Sequence, residues 1–352
     1  MQKTLHSVQC LRGIAAMLVV IYHSQKLLET YQSRIGIPPS IVNATPNLSI
    51  VGASGVDLFF VISGFIMAYI TCAQRGPHAI LPFLKRRLVR IVPLYWFFTL
   101  IMAGLLLFFP NLFSSARFDG RGTLLSLLFI PYSSAVSPNS PVLAVGWTLS
   151  YEMYFYVLVA CGFVLKYHVF SLVLGLFLAG SIALGYLFPS NDPVFNLMTS
   201  PILCEFYLGY LCGSVFMTKK VILPKSLAFF CLASGVAGYM LWTMESVRLP
   251  LGLFAFLIVT GCIFLEKYFT SKSMYYLARI GDSSYSLYLS NYLLIPALGK
   301  ICTAAGFWNH FPPAAFIALS LPACVAAGYL AYVFVERPLL TCGVWKTRKK
   351  AS

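Results

Sequence analysis

Ten stretches of about twenty mostly apolar residues recur along the chain, and no other feature restricts its fold so tightly. A helix rising 1.5 Å per residue needs roughly 20 apolar residues to cross a hydrocarbon core of roughly 30 Å. The stretches are 8–28, 51–71, 88–109, 144–165, 168–188, 199–217, 224–243, 249–265, 283–303 and 314–335. Inside lipid each backbone N–H and C=O must be paired within its own segment, so such runs become helices. The expected fold class is therefore all-α, a polytopic membrane bundle of about ten transmembrane helices. Composition agrees: the 352 residues are 59% hydrophobic and 10% charged, against roughly 45–50% and 25% in soluble domains. The apolar segment from Leu124 to Ile130 is too short to cross and reads as an interfacial or re-entrant piece of the long 110–143 connection. One transmembrane domain over 1–345 is expected, with a short basic tail at 346–352 and no further domain. The first span has no small-x-small cleavage site after it and reads as a retained helix.

A net charge of +15 invites a nucleic-acid partner. The densest cluster, Lys85, Arg86, Arg87 and Arg90, instead abuts a span and lacks the interleaved exposed aromatics of a nucleic-acid platform. The cations serve better as topology signals. With the N-terminus inside, nineteen Lys and Arg fall in inner connections against six outside: Lys26, Arg34, Arg117, Arg121, Arg248 and Lys300. Since Lys and Arg are retained on the cytoplasmic side, both termini are expected inside. The ten cysteines are scattered singly, without a C-x-x-C pair or a Cys/His group at ligand spacing, so they read as small apolar residues and no metal is expected.

Ionisable groups at bilayer depth are costly and usually mark a site or pathway. Arg12 and His23 stand eleven residues apart on the first span, so they share a helix face three turns apart, Arg12 near the inner surface and His23 in the outer half. Asp57, Glu152 and Glu205 lie at a similar depth, counted from the outer ends of their spans. An imidazole in a layer with carboxylates is the arrangement in which an anion orients a histidine and raises its basicity. The ordinary alternative is that each acid pairs with its own structural donor and that His23 only hydrogen-bonds. At the inner face, Arg12, Arg86, Arg87, Arg90 and Arg279 can grip phosphates with their guanidinium forks, or simply meet anionic lipid. The aromatic segments, Tyr151 to Tyr156 among them, can stack on sugar rings but equally form membrane belts.

Six blocks in order resemble the acyltransferase-3 family of membrane acyltransferases. They are L-R-G-I-A-A-M-L-V-V-I-Y-H (Leu11 to His23), G-V-D-L-F-F-V-I-S-G-F-I-M (Gly55 to Met67), K-R-R-L-V-R-I-V-P-L-Y-W (Lys85 to Trp96), W-T-L-S-Y-E-M-Y-F-Y (Trp147 to Tyr156), G-D-S-S-Y-S-L-Y-L (Gly281 to Leu289) and V-E-R-P (Val335 to Pro338). The first two look most like the exopolysaccharide-modifying, ExoZ-like branch. The resemblance implies a membrane enzyme that O-acylates carbohydrate with acetyl-CoA, or another acyl-CoA, as cytosolic co-substrate and no tightly bound cofactor. It also implies a catalytic His23, a donor held by Arg12 and the Arg87-x-x-Arg90 pair, and functional motifs containing Ser150, Glu152 and Glu336. Where relatives often carry a histidine after the Ser-Tyr-Ser-x-Tyr-Leu block, this chain has Asn291, so a second histidine is missing there.

The expected chemistry has phosphates of the donor on Arg12, Arg86, Arg87 and Arg90. His23 acts as general base on a sugar hydroxyl, and Glu152 orients the imidazole. Direct transfer and a covalent acyl-His intermediate both remain open. Trp147, Ser150, Asp57, Glu205, Asn291 and Glu336 are candidate substrate or supporting residues. Expected partners are the bilayer of the inner (cytoplasmic) membrane, acyl-CoA, and a polysaccharide or lipid-linked oligosaccharide. The rival reading is a proton-coupled transporter of a small anion or saccharide, which would use the same buried His, Asp and Glu but often shows an inverted repeat. A non-catalytic subunit of a polysaccharide machine is a third.

Overall fold

The structure, a computed structural model, describes residues 4–37, 46–72, 76–113, 117–134, 141–218, 223–242 and 248–341. Among these every regular element is helical. Seven segments are long and apolar enough to cross a membrane: His6–Ile35, Ser49–Thr71, Pro77–Phe108, Ala144–Val164, Tyr167–Leu187, Pro193–Thr218 and Ala314–Thr341. The expected spans 224–243 and 249–265 coincide with shorter apolar helices, Lys225–Leu241 and Leu249–Phe264. The expected span 283–303 is a helix, Ser284–Ala304, with Pro296 inside it and Ser286, Ser290 and Asn291 buried, which dilutes its hydropathy. Of the inner cations, Lys3, Arg75, Lys219, Lys220, Lys346, Arg348, Lys349 and Lys350 lie outside the described residues, as does the basic tail. The chain is a multi-pass membrane protein. Leu172, Leu176 and Leu187 on one helix, and Leu100 and Phe108 on another, are exposed, as lipid-facing residues should be and as a soluble surface rarely tolerates.

The chain divides into two compact units. The first comprises residues 1–66 and 204–332, the second residues 67–203 and 333–352.

In the first unit α1 (His6–Ile35) packs against α11 (Lys272–Asp282), α12 (Ser284–Ala304) and α13 (Ala314–Ala331). Ala16, Val20, Leu28, Leu287, Ile295 and Phe316 form a shared core. The Ser24 and Ser320 hydroxyls meet at 2.8 Å within it. No residue of its own first turns caps α1. Instead Glu266 accepts from the backbone N–H groups of His6 at 2.7 Å and Ser7 at 2.9 Å. A carboxylate there satisfies two orphan donors and opposes the positive end of the helix dipole.

The remaining helices of this unit are α2 (Pro46–Thr71, up to Ile66), α8 (Leu203–Thr218), α9 (Lys225–Leu241) and α10 (Arg248–Phe264). Helices α2 and α8 touch backbone to backbone. A Cβ added at Gly64 would lie 1.9 Å from the Phe206 carbonyl oxygen, and one at Gly209 would lie 1.9 Å from that of Val61. Helices in lipid associate through such close packing, because burying apolar surface gains nothing there. Gly209→Val should therefore force the pair apart and cost at least about 2 kcal/mol. A lowered thermal midpoint in detergent, with wild-type behaviour for Gly104→Val on open space, checks this.

In the second unit α3 (Ile80–Phe108) lies against α5 (Trp147–Cys161), with α4 (Gly120–Leu127), α6 (Tyr167–Leu187), α7 (Pro193–Met198) and α14 (Arg337–Thr341) around them. Phe83 meets Phe163 with ring centroids 5.1 Å apart, and Gly146 leaves room for the Tyr95 ring, whose hydroxyl would sit 2.5 Å from a Cβ there. The short segment from Leu124 to Ile130 is helical only to Leu127, whose carbonyl accepts from Trp96 Nε1 at 2.8 Å. Helix α3 begins eight residues before the expected 88. Lys85, Arg86 and Arg87 therefore lie within its first turns rather than ahead of it, and Arg90 lies in its third turn.

Candidate active site

His23 sits on α1 between two aromatic rings. Tyr22 meets it edge-on at 5.4 Å and Tyr292 of α12 at 6.1 Å. The imidazole is half-buried and makes no hydrogen bond among the described residues. An oriented but unengaged ring can accept a proton from a substrate. Arg12 lies three turns below on α1, where Gln9 Oε1 accepts from its Nη1 at 3.2 Å. Helix α1 continues well past His23 to Ile35, so distance from a helix end does not measure the depth of the imidazole.

The two candidate acids of this unit, Asp57 and Glu205, are deeply buried. Asp57 is 1% exposed, and the Tyr239 hydroxyl lies 3.1 Å from its Oδ2 and 2.7 Å from the Leu251 carbonyl oxygen. One phenol proton thus bridges a carboxylate and a helix backbone. Glu205 packs under α10, where Gly252 leaves the space: a Cβ there would approach Glu205 Cγ to 2.6 Å. Asn291 turns its amide back on its own helix, donating to the carbonyls of Leu287 at 3.0 Å and Tyr288 at 2.7 Å. Its Oδ1 is buried without a hydrogen-bond partner.

The second unit holds the other candidates. On α5 Tyr156 donates to Glu152, one turn away, and the Arg87 guanidinium of α3 lies beside the same phenol. Arg87 Nε is buried without a hydrogen-bond partner. Arg90, three residues on and close to the same face, pairs with Glu336, which is 1% exposed. Glu336 closes a single π-helical stretch, Tyr332–Glu336, before α14. Such widened turns often accompany functional side chains. Arg86, in contrast, is exposed. A guanidinium held against a protein interior needs an acceptor close by: Glu336 is that acceptor for Arg90, and the Tyr156 phenol lies beside Arg87.

A cavity of about 210 Å³ opens in this unit between α5, α7 and the segment after α4. Trp147, Ser150 and Tyr151 line it from α5, Ser126 from the end of α4, Tyr132 from the segment after it and Asn196 from α7. Trp147 and Tyr151 meet edge-on at 5.9 Å. Burial pushes the Tyr132 phenol above its usual range; a hydrogen bond to Ser126 works against this and Asp119 adds to it. Phe129 holds a φ of 59°, a strained conformation for a bulky residue, and its ring lies on Tyr95 at 4.8 Å.

The family model described as an acyltransferase domain matches residues 5–333, nearly the whole chain. The chain belongs to the acyltransferase-3 family. The acyltransferase is similar to the "Exopolysaccharide production protein ExoZ" of Rhizobium meliloti (strain 1021), 36% identical over 302 residues, 83% of this chain and 91% of the relative. It is also similar to the "Acyltransferase MdmB" of Streptomyces mycarofaciens, 28% identical over 159 residues, 44% of this chain and 38% of the relative. No solved structure matches it. Membership makes this acyltransferase an enzyme and sets the carrier and assembly-subunit readings aside.

Sequence reasoning singled out Asp57, Glu152 and Glu336 but missed what holds them. Tyr156 was within reach, at the i, i+4 spacing from Glu152 that joins helix neighbours. Tyr239 and the Arg90–Glu336 pair carried no such signal, since each joins residues far apart in the chain.

Proposed function

We propose that the acyltransferase moves an acyl group, acetyl first among the candidates, from acyl-CoA to a hydroxyl of an exported carbohydrate. The acceptor is a polysaccharide or its lipid-linked precursor, and the enzyme resides in the inner membrane. Ten spans with both termini in the cytoplasm complete the reading: the seven long apolar helices are joined by α9, α10 and α12, and the charge split of the sequence favours that orientation. The acceptor class rests on the extended likeness to an exopolysaccharide production protein.

The observation that carries the chemistry is the half-buried His23 imidazole, wedged against Tyr292 and unengaged by any described hydrogen bond. It takes the proton from the sugar hydroxyl as the oxygen attacks the thioester carbonyl; the C–S bond breaks, the ester forms, and the proton passes to the departing coenzyme A thiolate. The thioester donor is anionic, and Arg12, Arg86, Arg87 and Arg90 supply the cationic forks for its phosphates. Arg90 keeps most of its five donors while Nη1 serves Glu336. Glu152, tied to Tyr156, positions Arg87 for that task.

Mass analysis of exported polysaccharide from cells with and without the gene tests the reading. A fixed mass increment per repeat unit, one C2H2O unit in the case of acetyl, should vanish without the gene and return with it. An unchanged polysaccharide would reject the acceptor class.

A further inference from the structure

The cavity beside α5 is not used by the chemistry above, and its lining identifies what it accepts. Among its described lining residues none is charged. A phosphate-bearing donor finds no counter-charge there, and a lipid tail would strand the polar groups. The Ser150 hydroxyl and the Asn196 amide face it with no hydrogen bond among the described residues. On α5 the residues Trp147, Ser150, Tyr151 and Tyr154 share one helix stripe, and the Tyr154 hydroxyl, one turn past the cavity, is buried without a partner. Flat aromatic surface beside free, uncharged hydrogen-bonding groups fits a neutral polyhydroxylated ring, whose C–H faces pack on aromatics while its hydroxyls bond outward.

Size and position narrow the choice. A volume of about 210 Å³ falls below the roughly 300–1,000 Å³ of sites for larger ligands, so it holds one ring of a chain. Pro131, Pro141 and Pro193 stiffen its rim. Its walls come from 126–132, 141–151 and 193–197, all of them at outer connections in the N-in orientation.

We propose that this cavity is the acceptor subsite, seating one sugar unit of the carbohydrate against Trp147 and Tyr151 and bonding its hydroxyls through Ser150, Asn196 and Tyr132. The assignment rests on the carbohydrate O-acyltransferase reading and goes further by placing the acceptor.

The test uses the full chain in lipid nanodiscs, acetyl-CoA as donor, and oligosaccharides cut from the polysaccharide of cells lacking the gene. Asn196 is exposed, so Asn196→Ala does not endanger folding. It and Tyr151→Leu should each raise the KM for oligosaccharide about tenfold while the KM for acetyl-CoA stays within twofold; Tyr151→Phe should restore most of the loss. Acceptor KM values within twofold of wild type for both variants overturn the assignment and leave the enzyme reading intact. A raised acetyl-CoA KM with an unchanged acceptor KM overturns it in favour of a donor subsite. Wild-type protein that transfers nothing to these oligosaccharides overturns both.

Discussion

His23→Ala is expected to lower turnover by at least about 10²-fold, the lower end of what a positioned general base contributes. The protein should remain folded and inserted, because the ring makes only edge contacts with Tyr22 and Tyr292 and no described hydrogen bond depends on it. Turnover is measured as thiol released from acetyl-CoA and as acyl groups gained by the acceptor, with the thermal midpoint as the folding control. His23→Gln keeps the volume and a hydrogen-bonding edge but cannot carry the proton, so it should be as inactive as the alanine variant. If His23→Gln retains near wild-type turnover, the imidazole is a packing residue and the base lies elsewhere. A large loss of midpoint in His23→Ala would instead point to a structural role for the ring.

The sequence made the fold class legible because lipid imposes a one-dimensional rule: length and hydropathy alone decide what can cross. Helix ends were less legible. Helix α1 runs past its expected end at 28 to Ile35, and α3 starts before 88 at Ile80, because polar turns can continue a helix beyond the apolar core. That shift matters at the site. Depths counted from predicted ends placed His23 close to an outer surface that its own helix overshoots. The roles of single side chains were legible where partners are helix neighbours, as for Glu152 and Tyr156. They were hidden where packing brings distant segments together. Asn291 shows the limit most clearly: its position within a motif marked it as a candidate, but only packing shows that its Nδ2 is spent on Leu287 and Tyr288 while its Oδ1 is buried without a partner.

Removing one partner of the Arg90–Glu336 pair should separate stability from donor binding. Glu336 is 1% exposed, and Arg90 is its salt-bridge partner from α3. Arg90→Met leaves an uncompensated carboxylate in a buried site, a change that typically costs roughly 3–5 kcal/mol; the Arg90 side chain is 31% exposed, so solvent screening brings the expected loss to the lower end, about 3 kcal/mol. Glu336→Leu alone strands a cation that can still reach water and should cost less. The double variant, Arg90→Met with Glu336→Leu, removes both charges and should recover most of the stability, since a well-packed apolar pair often replaces a buried ion pair without loss. The thermal midpoint reads this cycle. The KM for acetyl-CoA reads the other half: if Arg90 also grips the donor, the stabilised double variant keeps a raised KM, because folding is restored and the guanidinium is not. A donor KM that returns to wild type along with the midpoint would show that Arg90 only holds the carboxyl-terminal turn in place, and would leave Arg12, Arg86 and Arg87 to bind the phosphates.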